Sequence, residues 1–403
     1  MFGVEELKEL LKDLDDTTNA LFRLASLVSS NHQPAMQRTS RKARTLARDL
    51  RQAHKSAKEL YFAIRNVWQG DCHQIHEAKL CLEDRVDVPK RAASGPVFSL
   101  IFAATSSDGK KMWHEAAVHA LDHEQDEGDK AQTTVVHPQT GNSRRVIVVT
   151  PPNWSTKPQV NAVENICVAM GPVLCSKPQL AFVLSHPIQI GTTQLDGPRP
   201  TLCTWSEKIS LETVFAGQGG GKSTSVLSLR LRMLLALRLA SNTLQLLQTQ
   251  WFHGALSHDK IFFLAGTTCS GGKNLSTDFT RPFVTATFTK GSPTPSQRDV
   301  EPREALLELG ILLLEVWHQK SLEAYYNLTK SPVEYYERLA IALRWLDDID
   351  DPPPEMYDKA VAHCIKGMIG GEARLGQWDD PNFWNGVCGD IIEPLSKNCK
   401  MWR

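Results

Sequence analysis

A glycine-rich segment near the middle of the chain has residue types and spacing that could bind a nucleotide phosphate. It runs from Gly217 to Gly221 and continues with Lys222 and Ser223. In a phosphate-binding loop the glycine N–H groups surround the phosphate, the lysine contacts the β- and γ-oxygens, and the serine binds magnesium. The complete pattern also needs glycine at the position of Ala216. A flexible glycine-rich linker explains the same residues, so a nucleotide-binding or phosphoryl-transfer protein is kept as an alternative function.

A second chemical pattern follows about thirty residues later in the chain. Residues 251–264 read W-F-H-G-A-L-S-H-D-K-I-F-F-L, which can be aligned with the catalytic loop H-R-D-L-x-x-x-N of protein kinases. His253 and Leu256 match that pattern. Ala255 stands where the catalytic aspartate accepts a proton, and Lys260 stands where an asparagine binds magnesium. We therefore expect a degenerate loop without catalytic residues, and no binding of ATP with magnesium.

Three potential metal ligands lie within ten residues of one another. Cys72, His76 and Cys81 offer the thiolate and imidazole groups that zinc prefers. No second ligand pair with regular spacing accompanies them, as a structural zinc site would require. We expect no metal here, and we expect Cys72 and His76 to pack where the helical N-terminal region meets the β-rich part.

The first part of the chain is predicted to be helical and to present one basic face. Cations recur at steps of three and four residues, which places them on one side of a helix. These six residues, the Arg41–Lys58 stripe, are Arg41, Arg44, Arg48, Arg51, Lys55 and Lys58. Leucines and acidic residues alternate over residues 4–16, so we expect this segment to pair with the basic helix in a hairpin or small bundle. An adaptor for an anionic surface, acting through the stripe, is a second alternative function.

The remainder of the chain changes from a β-rich to a helical texture. Runs of β-favouring residues bounded by turns occur at 96–105, 145–150 and 180–185, whereas 225–248 and 303–319 are long apolar helical stretches. We predict an α+β fold. Its three parts are a helical N-terminal region (1–90), a β-rich region like a kinase small lobe (91–210) and a helical region like a kinase large lobe (211–403).

Two further segments extend the kinase pattern. Asp278 begins D-F-T, a loose form of the kinase D-F-G, and Leu309–Glu315 matches the buried L-G-x-x-L-x-E helix of the large lobe. If that helix is buried, Gly310 should face a close packing neighbour. No G-x-G-x-x-G loop followed by V-A-I-K is present. The order of these segments therefore predicts a kinase-like fold that has lost its active site.

The chain resembles a large fungal family of kinase-like domains of unknown function (domain of unknown function 7580). Members often carry HeLo-type helical modules linked to prion inhibition and propagation and to heterokaryon incompatibility. The matching segments are spread over most of the chain; they lie at 68–82, 98–102, 163–167, 210–212, 238–251, 281–283 and 309–315. The resemblance implies a kinase-like fold and no established activity. We expect the apolar N-terminal module of longer members to be missing here, which argues against a membrane-acting or cell-death role.

Composition narrows the partners and the compartment. Among 403 residues, 45 basic side chains balance 45 acidic ones, which argues against a general polyanion binder, so no nucleic-acid partner is expected. No apolar run is long enough for a membrane span, and peripheral membrane contact is not expected either. Nine scattered cysteines are typical of reduced thiols inside the cell, most simply in the cytoplasm, with the nucleus left open. The sequence favours a regulatory or binding scaffold over an enzyme, and the resemblance implies a fungal self/non-self or signalling context for it.

Overall fold

The structure is a computed structural model. It describes residues 17, 40–68, 75–86, 95–105, 111–121, 161–170, 180–185, 189–193, 204–217, 227–252, 254–267, 275–289, 300–328, 332, 334–347, 351–367 and 377–401. The predicted acidic helix at 4–16 and the predicted strand at 145–150 lie outside these residues.

Helices and strands alternate in blocks along the chain. The helices are α1 (Arg41–Val67), α2 (Ile166–Met170), α3 (Leu211–Ala216), α4 (Leu229–Leu246), α5 (Pro302–His318), α6 (Leu322–Tyr326), α7 (Tyr335–Leu346), α8 (Glu355–Lys366), α9 (Pro381–Val387) and α10 (Glu393–Met401). The strands are β1 (Ile75–Cys81), β2 (Val97–Thr105), β3 (Lys111–Ala120), β4 (Asn161–Ala162), β5 (Leu180–Ser185), β6 (Gln189–Thr193), β7 (Thr204–Ser210), β8 (Phe262–Thr267) and β9 (Leu275–Thr289). A 3-10 turn at His258–Lys260 and a π turn at Cys388–Ile392 complete the described elements.

Helix α1 forms because its apolar residues recur with helical periodicity. The Ser40 hydroxyl caps its first turn by accepting the N–H of Ala43 at 2.9 Å. The buried face packs mainly against α4 and α9. The indole of Trp251 donates to the Ala57 carbonyl at 2.9 Å, which ties the end of the α4 connection to α1. The predicted N-terminal helix is therefore confirmed, while its predicted acidic partner lies outside the described residues.

The nine strands form one sheet in the order β4-β6-β5-β3-β2-β1-β9-β8-β7. All neighbouring strands are antiparallel except β3 and β5. Strand β9 is the link between the two halves of the chain, because its first part pairs with β8 and its last seven residues pair with the whole of β1. Strands from all three predicted regions thus share one sheet, and the division of the chain into those regions stays a prediction.

The sheet curls back on itself. Cα atoms of β7 and β3 approach within 8 Å although four strands separate them in the sheet order. The inside of this curl is filled by Cys81, Ile101, Leu264 and Phe283. The other face of β1, with Leu80, belongs to the main core that the helices cover. Successive residues of a strand point to opposite faces, which explains why adjacent positions of β1 enter two separate cores.

Helix α5 is the centre of the helical part. Every residue from Leu309 to Trp317 is buried, and α5 packs against α4, α7 and α8. The predicted burial of this helix is confirmed, as is the close neighbour of Gly310, since a Cβ placed there would lie 2.6 Å from Ile365 Cγ1. The α+β class is also confirmed. Among the helices that the structure describes, none combines the length and apolar character needed to cross a bilayer.

Candidate functional site

The loop predicted to be a degenerate catalytic loop lies between α4 and β8. A hydrogen bond from Lys260 links its two ends. Lys260 Nζ donates to the carbonyl oxygen of Ala255 at 3.0 Å. Gly254 has φ of 89°, a conformation that a residue with a Cβ rarely adopts. The lysine ammonium therefore stabilises the turn from within, at the position where the kinase pattern has a metal ligand. His253 lies outside the described residues.

Asp278 lies at a bulge in β9. The register with β8 shifts between Phe262 and Leu264, where β9 has extra residues. The Asp278 carboxylate accepts the backbone N–H of Thr280 at 2.9 Å and also bonds its hydroxyl at 2.5 Å. It is close enough to Arg238 and Arg281 to interact electrostatically with both. Asp278 is thus used in a local turn beside two cations.

A cleft of about 690 Å³ opens on the other side of the loop. It lies between α3, the turn at 258–260 and the helices α5, α6 and α7. Apolar side chains such as Phe215 and Ile311 form part of its wall, and acidic side chains form much of the rest. The cleft is large enough for a small ligand or a few residues of a partner chain.

A buried hydrogen bond joins the loop to α5 at the edge of this cleft. His258 Nδ1 lies 2.8 Å from Glu315 Oε2, and the other carboxylate oxygen of Glu315 accepts the N–H of Leu322 at 2.9 Å. Glu315 is only 3% exposed, and this burial raises its pKa. Burial alone would lower the pKa of His258, but the hydrogen bond and charge of Glu315 outweigh it and raise that pKa. Burial therefore opposes the charge of each group, whereas the contact between them favours the charged forms.

Glu323 of α6 completes a group of three potential ligands. Its carboxylate, the His258 imidazole and the Glu315 carboxylate have ligand atoms within 4.8 Å of one another, the sole such group in the described part of the chain. On the facing wall, Arg338 donates to both oxygens of Glu308, at 2.6 and 2.5 Å. The guanidinium charge is therefore already matched. Sequence reasoning missed the group; the only signal was one glutamate inside the apolar stretch of α5.

A second set of charges lies inside the curl of the sheet. Lys79 of β1 has no exposed surface, and its Nζ is 3.3 Å from Glu77 Oε2. Arg281 of β9 forms an ion pair with Glu115 of β3, bridging strands on either side of β1 and β2. Burial is costly for unpaired charges, and here each charge has an opposite partner. Because these charges are paired with one another between strands, the cleft is the better candidate site.

The structure separates two of the three potential zinc ligands, at which no metal was expected. His76 and Cys81 are five residues apart on β1, so they point to opposite faces of the strand. The His76 ring stacks on Trp68 at 4.9 Å, whereas Cys81 lies in the small core inside the curl. These two residues cannot bind one ion. Cys72 lies outside the described residues.

The glycine-rich segment follows a helix. Helix α3 separates strand β7 from Gly217, whereas a phosphate-binding loop begins directly after a strand. Gly221, Lys222 and Ser223 lie outside the described residues. All six cations of the Arg41–Lys58 stripe are exposed along α1, on the side of the helix that faces away from its buried residues.

Comparison with protein families gives one match. A family model described as Domain of unknown function (DUF7580) matches residues 47–402. The match covers most of the chain, from within α1 to the end of α10, so the chain belongs to this family. No curated protein matched the chain.

Proposed function

We propose that the chain is a non-catalytic, kinase-like module that acts as a binding or regulatory scaffold. The observation that carries this proposal is the Lys260–Ala255 contact of 3.0 Å. An ammonium group at this position opposes a metal ion, and the alanine provides no base for a substrate hydroxyl. A loop stabilised in this way has a defined conformation but provides neither a catalytic base nor a metal ligand at these two positions.

The order of the helical elements supports the kinase-like part of the proposal. A mostly buried helix, α4, leads into the loop; the paired strands β8 and β9 follow; and the fully buried centre of α5 comes next. The L-G-x-x-L-x-E pattern of the sequence falls on that buried centre. The ladder between β9 and β1 departs from a two-lobed kinase, because it joins the strands after the loop to the first strand of the sheet.

The cleft beside the loop supports a binding role. It combines apolar walls with charged edges, which is the composition expected where a partner segment is held by burial and oriented by polar contacts. The resemblance to the fungal family implies self/non-self recognition or signalling as the context of such a binding module, and we propose the same context for this chain. Cys81, Cys364 and Cys388 are buried thiols, as is common in proteins of the reducing cytoplasm.

A titration with ATP, GTP and magnesium, followed by thermal unfolding of the full chain, tests the proposal. A ligand at a hundred times its dissociation constant stabilises a protein by about 2.7 kcal/mol. We expect no shift and no release of phosphate from ATP. Lys222→Ala is the diagnostic variant, and Lys55→Ala, which removes an exposed cation of α1, is its control.

The titration separates the alternatives. A magnesium-dependent shift that Lys222→Ala abolishes and Lys55→Ala preserves would refute the scaffold and favour a nucleotide-binding enzyme that uses Gly217–Ser223. A shift that survives both substitutions would also refute the proposal as stated, because it would place a nucleotide site elsewhere in the chain.

The exposed Arg41–Lys58 stripe supports a second candidate function, an adaptor for an anionic surface. Six exposed cations on one helix face could contribute about 1 kcal/mol each at an anionic membrane. We place this candidate second because physiological salt screens exposed charges beyond about 8 Å, and charged faces of amphipathic helices are commonly solvated surface.

A further inference from the structure

The cleft beside the degenerate loop carries an excess of negative charge. Its charged lining consists of five carboxylates and one guanidinium, apart from His258; they are Glu212, Asp259, Glu308, Glu315, Glu323 and Arg338. Arg338 is bound through two hydrogen bonds to Glu308, and the lining as a whole carries more carboxylates than cations. Low-dielectric walls strengthen the attraction of such a cleft for a cation.

The three potential ligands come from three different elements, so the fold fixes their relative positions. His258 lies in the turn after the loop, Glu315 on α5 and Glu323 on α6. Their ligand atoms lie within 4.8 Å of one another. Around a tetrahedral zinc ion with bonds of about 2.0 Å, adjacent ligand atoms lie roughly 3.3 Å apart. The 2.8 Å between His258 Nδ1 and Glu315 Oε2 is somewhat shorter than that spacing, and the Glu323 ligand atom lies within 4.8 Å of the other two, so the three side chains adjust their positions when they bind an ion.

The surroundings hold the central ligand in place. The backbone N–H of Leu322 donates to Glu315 Oε1 at 2.9 Å, leaving the other oxygen directed at His258. Hydrogen bonds of this kind orient metal-ligating carboxylates in known metal sites. The Phe215 ring lies beside the His258 imidazole, with 6.1 Å between their centroids, and limits its rotation.

We propose that His258, Glu315 and Glu323 bind one divalent cation of the zinc type, with the fourth position open to water in the cleft. One imidazole and two carboxylates are a donor set that zinc accepts, and the two carboxylate charges balance the charge of the ion. The site requires neither a nucleotide nor phosphoryl transfer.

Titration of the chelator-treated full chain with zinc chloride, followed by calorimetry, tests the site directly. The visible absorption of bound cobalt(II) reports a tetrahedral environment in the same protein. We expect one ion per chain. Glu323→Gln should weaken binding by at least about 10-fold and remove the tetrahedral cobalt spectrum, because it deletes a ligand without touching the bond between His258 and Glu315. His258→Gln should do the same if its thermal unfolding shows a folded protein.

Glu212→Gln is the matched control, since Glu212 is an exposed acid that lines the same cleft outside the ligand group. It should leave the affinity and the spectrum unchanged. Equal weakening by Glu212→Gln and Glu323→Gln would mean that the acidic cleft attracts cations diffusely, and it would overturn the site. Unchanged binding in Glu323→Gln would place the ion elsewhere, and absence of binding in the wild type would also refute the proposal.

Discussion

The packing of α5 against α8 at Gly310 gives a quantitative prediction for stability. A Cβ at this position would lie 2.6 Å from Ile365 Cγ1, 3.0 Å from Cys364 Cβ and 3.4 Å from the Ile365 nitrogen. Carbon atoms prefer separations of about 3.5–4.0 Å, so the Ile365 side chain must move by about 0.9 Å or more. Overpacking of a core costs roughly 1–3 kcal/mol, against a gain of about 1 kcal/mol when alanine replaces glycine in a helix. We expect Gly310→Ala to be net destabilising by about 1 kcal/mol.

Urea denaturation, followed by circular dichroism and tryptophan fluorescence, measures this change. Gly310→Leu should lose roughly 3 kcal/mol or more because it adds further carbons at the contact. Ile365→Ala removes the atom nearest to the new methyl group, so Gly310→Ala should cost less in that background than in the wild type. The destabilisation by Gly310→Ala should be relieved only in part, since Cys364 Cβ and the α8 backbone also lie close to the new methyl group. A Gly310→Ala variant more stable than the wild type would refute the close packing of the two helices.

Three further predictions concern the loop, the buried pair and the basic stripe. Lys260→Met should lower the free energy of unfolding by about 1.5 kcal/mol, the contribution of a charge-assisted hydrogen bond, whereas removal of an unused side chain would leave the urea midpoint unchanged. In the metal-free protein, the raised pKa of His258 stabilises the fold fully below pH 6.5, and this contribution is lost as the pH rises through the pKa of His258 in the folded state. The free energy of urea unfolding should therefore depend less on pH in His258→Gln. An unaltered pH profile would contradict the contact between His258 and Glu315. Sedimentation at about 0.15 M salt should show no binding of the chain to anionic liposomes; binding that Arg44→Glu with Arg48→Glu abolishes, at unchanged stability, would make the stripe a functional surface.

Periodicity was sufficient to predict the long helices and some of the strands. The apolar stretches at 225–248 and 303–319 correspond to α4 (Leu229–Leu246) and α5 (Pro302–His318), and the runs at 96–105 and 180–185 correspond to β2 and β5. These elements bury one or both faces, so their apolar residues repeat regularly. The six residues of helix α3 are too few to show a helical period, so this helix could not be predicted from periodicity.

Strand β9 could not be predicted from its sequence. It contains Pro282, which lacks a backbone donor and normally argues against an interior strand. The bulge near Asp278 accommodates the change of partner, and the Pro282 carbonyl still accepts the N–H of Leu82 at 2.8 Å. The D-F-T pattern that begins at Asp278 lies within this strand. The pairing of β9 with β1 joins residues about two hundred positions apart, and no local pattern encodes such a pairing.

The candidate site shows the same limit of sequence reasoning, and it also suggests why the site is present. Glu315 is a single acid in an apolar helix, but its partner His258 lies 57 positions earlier, so only the fold brings them together. Stability alone does not require the pair, because apolar side chains of similar volume often replace a buried charged pair without loss. The loop has Ala255 and Lys260 where the kinase pattern has its catalytic aspartate and its metal-binding asparagine, and two residues before Lys260 it places an imidazole against a buried carboxylate. Because packing does not require this pair, the metal titration is the most direct test of whether the pair serves a ligand in the cleft.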